Sequence, residues 1–262
     1  MATQFEYDKL KAKYAQFQFP KTVIFINNKD VAKIDANIKV TNVNVDLTSG
    51  FEATMASFVL VGYYNTETNM FLTTSFNEKV KLGMGVKMYQ SRLDVFYGYI
   101  THINFVYHGS EGVPGIKITC MDVKAAMMSN RQTKQFKGCT CYSDAVKKII
   151  EGYKALDKTK PKLTELKIFD TPDKPEKQPK EDTDTDVSIE MTDETDYEFC
   201  VRAARKFNYE FFCHCGTIYF RAAKSDKDSL IVLSLMGLNS IDIEYTNVGI
   251  TGAVEVRAIN AD

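Results

Sequence analysis

Two pairs of cysteines are the residues of this sequence whose type and spacing could hold a soft metal ion. One residue separates Cys139 from Cys141, and His214 alone separates Cys213 from Cys215. Structural zinc usually takes thiolates that are two or more residues apart, so that both can turn toward one ion. The C-x-C spacing therefore predicts no zinc site. Because the chain shows no signal peptide, we expect its cysteines to be free thiols.

A helix predicted to begin beside Cys141 leaves one alternative open for that residue. The field of a helix N-terminus can lower the pKa of a thiol, so the sequence leaves a reactive cysteine open at this position. Cys120 lies in a predicted strand, and Cys200 lies on the apolar face of a predicted helix. Buried free cysteines behave as small apolar side chains, so we expect these two to fill a core.

The three histidines do not form a catalytic arrangement in the sequence. His102 and His108 fall on one predicted strand, and their separation of roughly 20 Å is too large for them to share an ion. His214 falls at the tip of a predicted hairpin. No nucleophile motif of serine or cysteine accompanies them, so we expect no catalytic histidine.

Two further patterns could be mistaken for ligand sites. Gly83-Met84-Gly85 is followed by a strand pattern rather than by the helix N-terminus that phosphate binding needs, so it predicts a tight turn. The acidic run at 182–186 has neither the glycine nor the terminal glutamate of a calcium loop. We therefore expect no enzyme, no metal site and no cofactor.

Composition and charge narrow the function classes further. The chain has 262 residues, 44% of them hydrophobic and 26% charged, which is ordinary for a soluble protein that can bury a core. A net charge of −1 gives no electrostatic reason to expect nucleic acid or an anionic membrane surface as a partner. No stretch reaches the roughly 20 apolar residues of a membrane span. We expect a soluble protein made in the cytoplasm.

Short segments rich in β-branched and aromatic residues recur along the first half of the chain. In one of them the alternation of apolar residues slips at Thr41 and Asn42, which predicts a β-bulge. Strands at this spacing are typical of a closed or nearly closed β-barrel or sandwich. The predicted strands are 22–26, 38–47, 56–64, 79–89, 94–108 and 115–121.

Two amphipathic helices interrupt this pattern. The first is predicted at 142–153, with an apolar stripe along one face. The second is predicted at 196–207, where Thr195 and Glu198 have the spacing of a capping box. Asn208 follows as a left-handed cap at the C-terminal end.

Residues 159–186, between the two helices, have a different composition. They hold four of the six prolines, and the 172–186 half has almost no apolar residues. Such a segment cannot offset its ordering entropy by burial, so the sequence predicts an exposed, mobile loop. The apolar residues of 163–169 could dock as one short segment.

A second β-unit is predicted after the second helix. Its hairpin has a turn at 214–217, and its further strands are 230–235, 240–245 and 253–259. The fold class is therefore mainly β with a few helices, in two barrel-like β-domains joined by a short helical region with an exposed loop insertion.

This reading divides the chain into three parts. Residues 1–125 form the first barrel-like domain with an N-terminal arm, and 126–208 form a helical connector that carries the loop at 159–186. Residues 209–262 form the second, smaller β-domain, completed by strands from the preceding segments.

Four segments follow one another in the order of a known family. A strand opened by glycine at 83–88 leads to a strand at 94–101 with the pattern v-F-x-G-x-I-t. A strand at 115–122 ends in an aspartate, and 141–150 has the pattern of a short capped helix. These segments resemble the late control protein D family, which comprises baseplate hubs of contractile tails and the hub part of type VI secretion spikes.

The most specific part of the resemblance begins at Thr195 and ends at Phe212. It is similar to the family's helix-to-strand unit, in which an aspartate and a phenylalanine open the helix and an aromatic strand follows it. The resemblance covers about residues 80–260, and the first 75 residues match the family only in pattern.

The resemblance implies architecture and carries no catalytic residues or cofactor site. A glycine in the strand at 94–101 would let that strand bend or pack closely, and the capped helix would fix the junction between the β-units. The residues that take these structural roles are Phe96, Gly98, Thr195, Glu198, Phe199 and Gly216.

The resemblance also implies an assembly. Three chains would form a homotrimer in which six similar barrels make a pseudo-sixfold ring, and this ring would join a sixfold tail tube to a threefold spike. The chain ends at Asp262 without a spike segment, so we expect a separate spike protein. Further expected partners are a tail tube or tube initiator protein, baseplate wedge proteins and a tape measure protein. The expected location is the baseplate of a virion or tail-like particle assembled in the bacterial cytoplasm.

Other functions stay open at the level of sequence. One is a peripheral tail or receptor-binding adaptor without catalytic activity, and another is a cell-wall hydrolase, for which no catalytic constellation is evident. The sequence does not distinguish a phage from a tail-like bacteriocin or another injection system. The loop at 159–186 could become ordered against a neighbouring baseplate protein.

Overall fold

The fold is known from a computed structural model. It describes residues 22–34, 37–90, 93–107, 112–154, 163, 165–174 and 189–223, with 5–6, 9, 12, 231–232, 240 and 242 as short pieces. The chain divides into two compact units, one formed by Met1–Gln18 with Asp228–Asp262 and the other by Phe19–Lys227.

The described residues form sixteen strands and five helices. The strands are β1 (Phe5–Glu6), β2 (Thr22–Ile26), β3 (Lys29–Asp30), β4 (Lys39–Asp46), β5 (Met55–Val61), β6 (Tyr64–Asn65), β7 (Met70–Phe71), β8 (Gly85–Gln90), β9 (Leu93–Val106), β10 (Gly115–Met121), β11 (Arg131–Gln135), β12 (Glu165–Ile168), β13 (Glu190–Thr195), β14 (Tyr209–His214), β15 (Thr217–Ala222) and β16 (Ile231–Val232). The helices are α1 (Val31–Ile34), α2 (Thr73–Lys79), α3 (Lys124–Met127), α4 (Tyr142–Lys154) and α5 (Asp196–Phe207). The predicted fold class, mainly β with a few helices, is confirmed.

The unit formed by the two ends of the chain contains strands β1 and β16. These strands pair in parallel, with Phe5 opposite Ile231 and Glu6 opposite Val232. The strands predicted at 240–245 and 253–259 fall almost entirely outside the described residues.

The other unit is built around a seven-stranded antiparallel sheet in the order β3-β2-β8-β9-β10-β5-β4. One face of the sheet is buried because apolar residues alternate along its strands: Ala56, Phe58 and Leu60 of β5 are buried, and the residues between them are half-buried. Together with Phe76 of α2 and Val31 of α1 they form a first core.

The seven-stranded sheet is open rather than closed into a barrel. Its two end strands are β3 and β4, and β3 consists only of Lys29–Asp30, opposite Phe25 and Ile26. The chain enters helix α1 at Val31, directly after β3, so this edge strand is too short to span the sheet. The other sheets of the described residues have two or three strands. The barrel-like closure expected from the strand spacing is therefore not found in the described part of the chain.

A second core lies among helices α4 and α5 and a three-stranded sheet in the order β12-β15-β14. Helix α4 buries Val146 and Ile150, and helix α5 buries Phe199 and Ala203, each at helical spacing. Strand β12 joins β15 in parallel, whereas β14 and β15 form an antiparallel hairpin. The ribbon of β11 and β13 adds Met191 to the same core.

Several predicted elements are confirmed to the residue. Strands β2 and β10 and helix α5 have the predicted bounds, and helix α4 ends one residue beyond its predicted end. The bulge predicted in the second strand segment is present: the register of β4 shifts between Thr41 and Asn44, and Asn42 has a φ of 50°.

The strand predicted at 79–89 is wrong in its first half. Helix α2 occupies the chain up to Lys79, and strand β8 begins at Gly85. Phe76 of this helix and Val80, the residue after it, fill the first core, and Gly83, with a φ of 76°, reverses the chain into β8. A helix of two turns has too few residues to show its period against a background of strands.

The predicted loop at 159–186 falls mostly outside the described residues. Within it, Leu163 is buried and β12 covers Glu165–Ile168, which confirms a short docked segment. The division of the chain at 125 and 208 stays a prediction. None of the helices in the described residues is long and apolar enough to cross a membrane.

Candidate functional site at the junction of two cores

The cysteines of the described residues do not form a reactive or metal-binding site. All six are free, and no group of three or more His, Cys, Asp or Glu side chains in the described part of the chain could hold a metal ion. Cys141 is buried with its Sγ 3.1 Å from Ser143 Oγ, and burial raises the pKa of its thiol. Burial also raises the pKa of Cys213 to about 12. A raised pKa disfavours the thiolate, so the reactive-thiol alternative at Cys141 loses its support.

The histidines lie apart. His102 is exposed on β9, with Nδ1 3.1 Å from Thr101 Oγ1, and His214 is exposed at the end of β14 in the other sheet. His108 lies outside the described residues. His102 and His214 therefore do not meet in one site.

Phe96 and Gly98, two of the residues predicted to have structural roles, lie on β9. Phe96 is buried in the first core. A Cβ atom at Gly98 would overlap the carbonyl oxygen of Met121 on the neighbouring strand β10 and would lie 2.6 Å from Phe96 Cζ. The close approach of β9 to β10 at this point thus requires glycine.

Thr195 and Glu198 form the capping box at the start of helix α5. Glu198 N–H donates to Thr195 Oγ1 at 3.1 Å, and Thr195 N–H donates to Glu198 Oε2 at 2.8 Å. This backbone hydrogen bond lowers the pKa of Glu198, and Arg131 of β11 adds an ion pair at 3.1 Å. The cap therefore fixes both the beginning of α5 and its contact with the ribbon of β11 and β13.

Phe199 and Gly216 lie at two other points of the second core. Phe199 is fully buried, with its ring centroid 4.9 Å from that of Phe136 and 6.0 Å from that of Tyr142. Gly216, with a φ of 85°, follows Cys215, with a φ of 46°, in the turn between β14 and β15. Two successive left-handed residues give the tight hairpin turn that joins two twisted strands.

Asp122, the residue directly after strand β10, is a buried carboxylate. Its Oδ2 accepts a hydrogen bond from Thr54 N–H and its Oδ1 accepts one from Lys124 N–H, both at 2.8 Å. Burial raises the pKa of Asp122, while Lys124 and the hydrogen bonds from Thr54 and Lys124 oppose that shift. The carboxylate thus orders the chain between β10 and α3 and ties it to the residue that precedes β5.

Lys124 carries the most unusual side chain of this region. It is completely buried, and its ammonium group lies 2.8 Å from the carbonyl oxygen of Glu52 and 3.1 Å from that of Phe51. The carbonyl oxygens of Phe211, at 3.1 Å, and Gly50, at 3.3 Å, complete the group. Burial lowers the pKa of Lys124, whereas Asp122 raises it. The cation exchanges its water shell for four carbonyl dipoles, which satisfies its donors in the interior.

These carbonyl groups come from segments that belong to two different sheets. Phe211 lies in β14 of the three-stranded sheet, while Phe51 and its neighbours form the loop that leads into β5 of the seven-stranded sheet, with the Phe51 ring packed against the second core. Two more hydrogen bonds hold this loop to the second core: Thr54 Oγ1 donates to Cys213 O at 3.2 Å, and the Tyr197 hydroxyl donates to Phe51 O at 3.0 Å. We call Asp122, Lys124 and these partners the core junction. It fixes the loop before β5 against β14 and α5.

Sequence reasoning did not single out Lys124, although it noted Asp122 as the end of a strand. A signal was present: Lys124 is the only charged residue of 123–128, where every other residue is Val, Ala or Met. A lone lysine in such a run is a candidate for burial with dedicated partners. Its partners could not be read from the sequence, because they lie 72 to 87 residues away along the chain.

No protein-family model matches this chain, and no curated protein does. Solved structures of tail proteins are similar to it. The tail protein from Neisseria meningitidis matches with a TM-score of 0.49 at 13% identity, over 77% of this chain and 50% of that one. An Escherichia coli component of the type VI secretion system, described as structurally similar to the bacteriophage T4 tail proteins gp27 and gp5, matches with a TM-score of 0.44 at 10% identity, over 73% and 50% of the two chains.

The 43 kDa tail protein of prophage MuSo2 from Shewanella oneidensis matches with a TM-score of 0.52 at 13% identity, over 78% of this chain and 55% of that one. The chain thus spans about half the length of each of these three structures. At this level of identity the likeness concerns the fold alone. This chain therefore shares its fold with a prophage tail protein.

Proposed function

We propose that this chain is a structural protein of a phage tail or of a phage-tail-like contractile injection particle, and that three copies form its central hub. The observation that carries the proposal is the fold, which 78% of the chain shares with the MuSo2 tail protein. The order of the family-like segments, from the strand at 94–101 to the hairpin after α5, supports the hub in particular.

The core junction supports a mechanical role rather than a chemical one. A hub must keep its shape while other proteins bind at its two ends. Lys124 and Asp122 hold the loop before β5 of the seven-stranded sheet, and Lys124 also binds β14 of the three-stranded sheet, through buried hydrogen bonds that open only at a high cost in free energy.

In the proposed assembly, the trimer is a ring that adapts a sixfold tail tube to a threefold spike. Two cores in each of three chains place six cores around the axis. The proposed partners are a separate spike protein, a tail tube or tube initiator protein, baseplate wedge proteins and a tape measure protein. The proposed location is the baseplate of the particle, and the proposed role needs no cofactor and no catalysis.

Electron microscopy of the particle tests this location. A gold-binding tag placed on the chain should label the particle at its axis, between tube and spike. Labels spread around the periphery of the baseplate would instead support the adaptor without catalytic activity, and unlabelled particles would contradict both functions.

A further inference from the structure

Strand β9 has an edge without a strand partner among the described residues. On that side, β8 reaches along β9 only to Tyr99. Two more hydrogen bonds follow at Ile100, whose N–H donates to Met84 O at 2.9 Å and whose carbonyl oxygen accepts from Gly83 N–H at 2.8 Å. Along 101–106, β9 pairs in the described chain only with β10, on its other side. The backbone groups of alternate residues in this stretch therefore face outward, as they do at the edge of a sheet, while the others point toward β10.

A groove of about 700 Å³ follows this edge. Its walls are residues 101–105 of β9 on one side and Asn77 with residues 80–82, at the end of α2 and the turn after it, on the other. Successive side chains of a strand point to opposite faces, so a groove lined by consecutive residues follows the backbone edge rather than one face. The groove has apolar side chains in Leu82 and Phe105, which are 63% and 40% exposed.

The groove continues into an exposed aromatic surface. Phe105 lies with its ring centroid 5.3 Å from that of Phe71, and Phe71 lies 5.1 Å from Tyr64. Tyr107 stacks on Tyr64 at 5.5 Å and is 55% exposed. A continuous apolar surface beside an unpaired strand edge is typical of a protein-binding site.

The charge of the groove indicates the chemistry of its occupant. Lys81 is the one charged side chain among its described lining residues, and none of them carries a carboxylate. A segment with acidic side chains is therefore complementary to it. We propose that the edge 101–106 of β9 binds an extended acidic segment of another protein, which joins the sheet as an additional strand.

In this mode of binding, backbone hydrogen bonds to the edge of β9 provide affinity, and alternate side chains of the added strand provide specificity. Side chains on one face meet Leu82 and Phe105, so apolar residues are favoured there. Acidic residues between them lie within reach of Lys81. The proposal does not depend on the trimeric hub, because it concerns a site that is complete within one chain.

Synthetic peptides test the proposal on the purified full-length chain. The first is a peptide of about eight residues that alternates valine and glutamate, matched in length to the edge. The second replaces glutamate with lysine, and the third is the first peptide methylated on every amide nitrogen. Fluorescence anisotropy measures their binding, and hydrogen exchange locates it on the chain.

We expect the valine–glutamate peptide to bind at least about tenfold more tightly than the lysine peptide, and the methylated peptide not to bind. The bound valine–glutamate peptide should protect the backbone amides of 101–106 from hydrogen exchange. Leu82→Asp and Phe105→Asp should each weaken its binding about tenfold or more. The control Leu93→Asp changes an exposed residue at the other end of β9 and should leave binding unchanged.

Three results would overturn the proposal. The first is the absence of saturable binding by the acidic peptide, and the second is equal binding of the methylated peptide. The third is a change in the native mass of the chain caused by Leu82→Asp, which would make this edge a contact between copies. Unchanged thermal unfolding of each variant serves as the control for folding.

Discussion

The ammonium group of Lys124 donates a hydrogen bond to the carbonyl oxygen of Phe211 at 3.1 Å. Lys124 begins helix α3, soon after β10 of the seven-stranded sheet, whereas Phe211 lies in β14 of the three-stranded sheet, 87 residues further on. The same ammonium group binds the carbonyl oxygens of the loop before β5. One buried cation thus joins the loop before β5 to strand β14.

Replacement of Lys124 by methionine should strongly destabilise the fold. Lys124→Met keeps most of the side-chain volume but leaves buried carbonyl groups and the Asp122 carboxylate without their cation. Removal of one partner from a buried ionic group costs about 3–5 kcal/mol. Urea unfolding measures the loss in the free energy of unfolding.

Lys117→Met is the matched control for this experiment. Lys117 is an exposed residue of β10, close to Lys124 in the sequence. Its replacement should change the free energy of unfolding by no more than about 0.5 kcal/mol. If Lys124→Met is as stable as Lys117→Met, the core junction does not stabilise the chain.

Two glycine-to-alanine substitutions should have opposite effects. At Gly98 the new Cβ overlaps Met121 O, and such overpacking costs about 1–3 kcal/mol. At Gly152, in helix α4, nothing lies within 4 Å of the new Cβ, so alanine should gain about 0.5–1 kcal/mol from its higher helix propensity. Thermal unfolding of both variants measures the two signs. A stable Gly98→Ala variant would refute the close approach of β9 to β10.

The capping box predicts a pH dependence of stability. The backbone hydrogen bond from Thr195 lowers the pKa of Glu198 below its ordinary value of 4.5. A folded-state pKa below the unfolded one stabilises the fold at every pH above the unfolded value, and this contribution is lost as the pH falls through the folded value. Glu198→Gln should therefore lower the urea midpoint at about pH 6, and the difference from the wild type should shrink toward about pH 3.

Glu151→Gln, at an exposed position of α4, is the control for the charge change alone. It should give a smaller pH-dependent difference than Glu198→Gln. An equal difference in the two variants would mean that the effect arises from net charge and not from the helix cap.

The elements that the sequence predicts well are those whose signals are local. Strand β10 alternates apolar residues over its whole length, and α5 carries its capping box, its apolar stripe and its left-handed cap within Thr195–Asn208. These signals depend on residues a few positions apart, so one sequence is enough to read them.

The elements that sequence reasoning missed depend on distant residues. Strand β11 is exposed along its whole length and shows no alternation, and it exists because it pairs with β13, with Arg131 opposite Thr195. The core junction also depends on distant residues, because the carbonyl groups that bind the Lys124 ammonium group come close to it only in the folded chain. The pairing of β11 with β13 leaves no alternation of apolar residues in β11, so the sequence of that strand does not reveal it.

The native mass of the purified chain, measured by size exclusion with light scattering, tests the trimeric hub most directly. The chain has a mass of 29.7 kDa, so three copies predict about 89 kDa. The measurement is made on the chain alone and again after it is mixed with the spike and tube proteins of its particle. A trimeric mass in either sample is the predicted result. A mass of one chain that persists in both samples would contradict the hub and favour a peripheral adaptor.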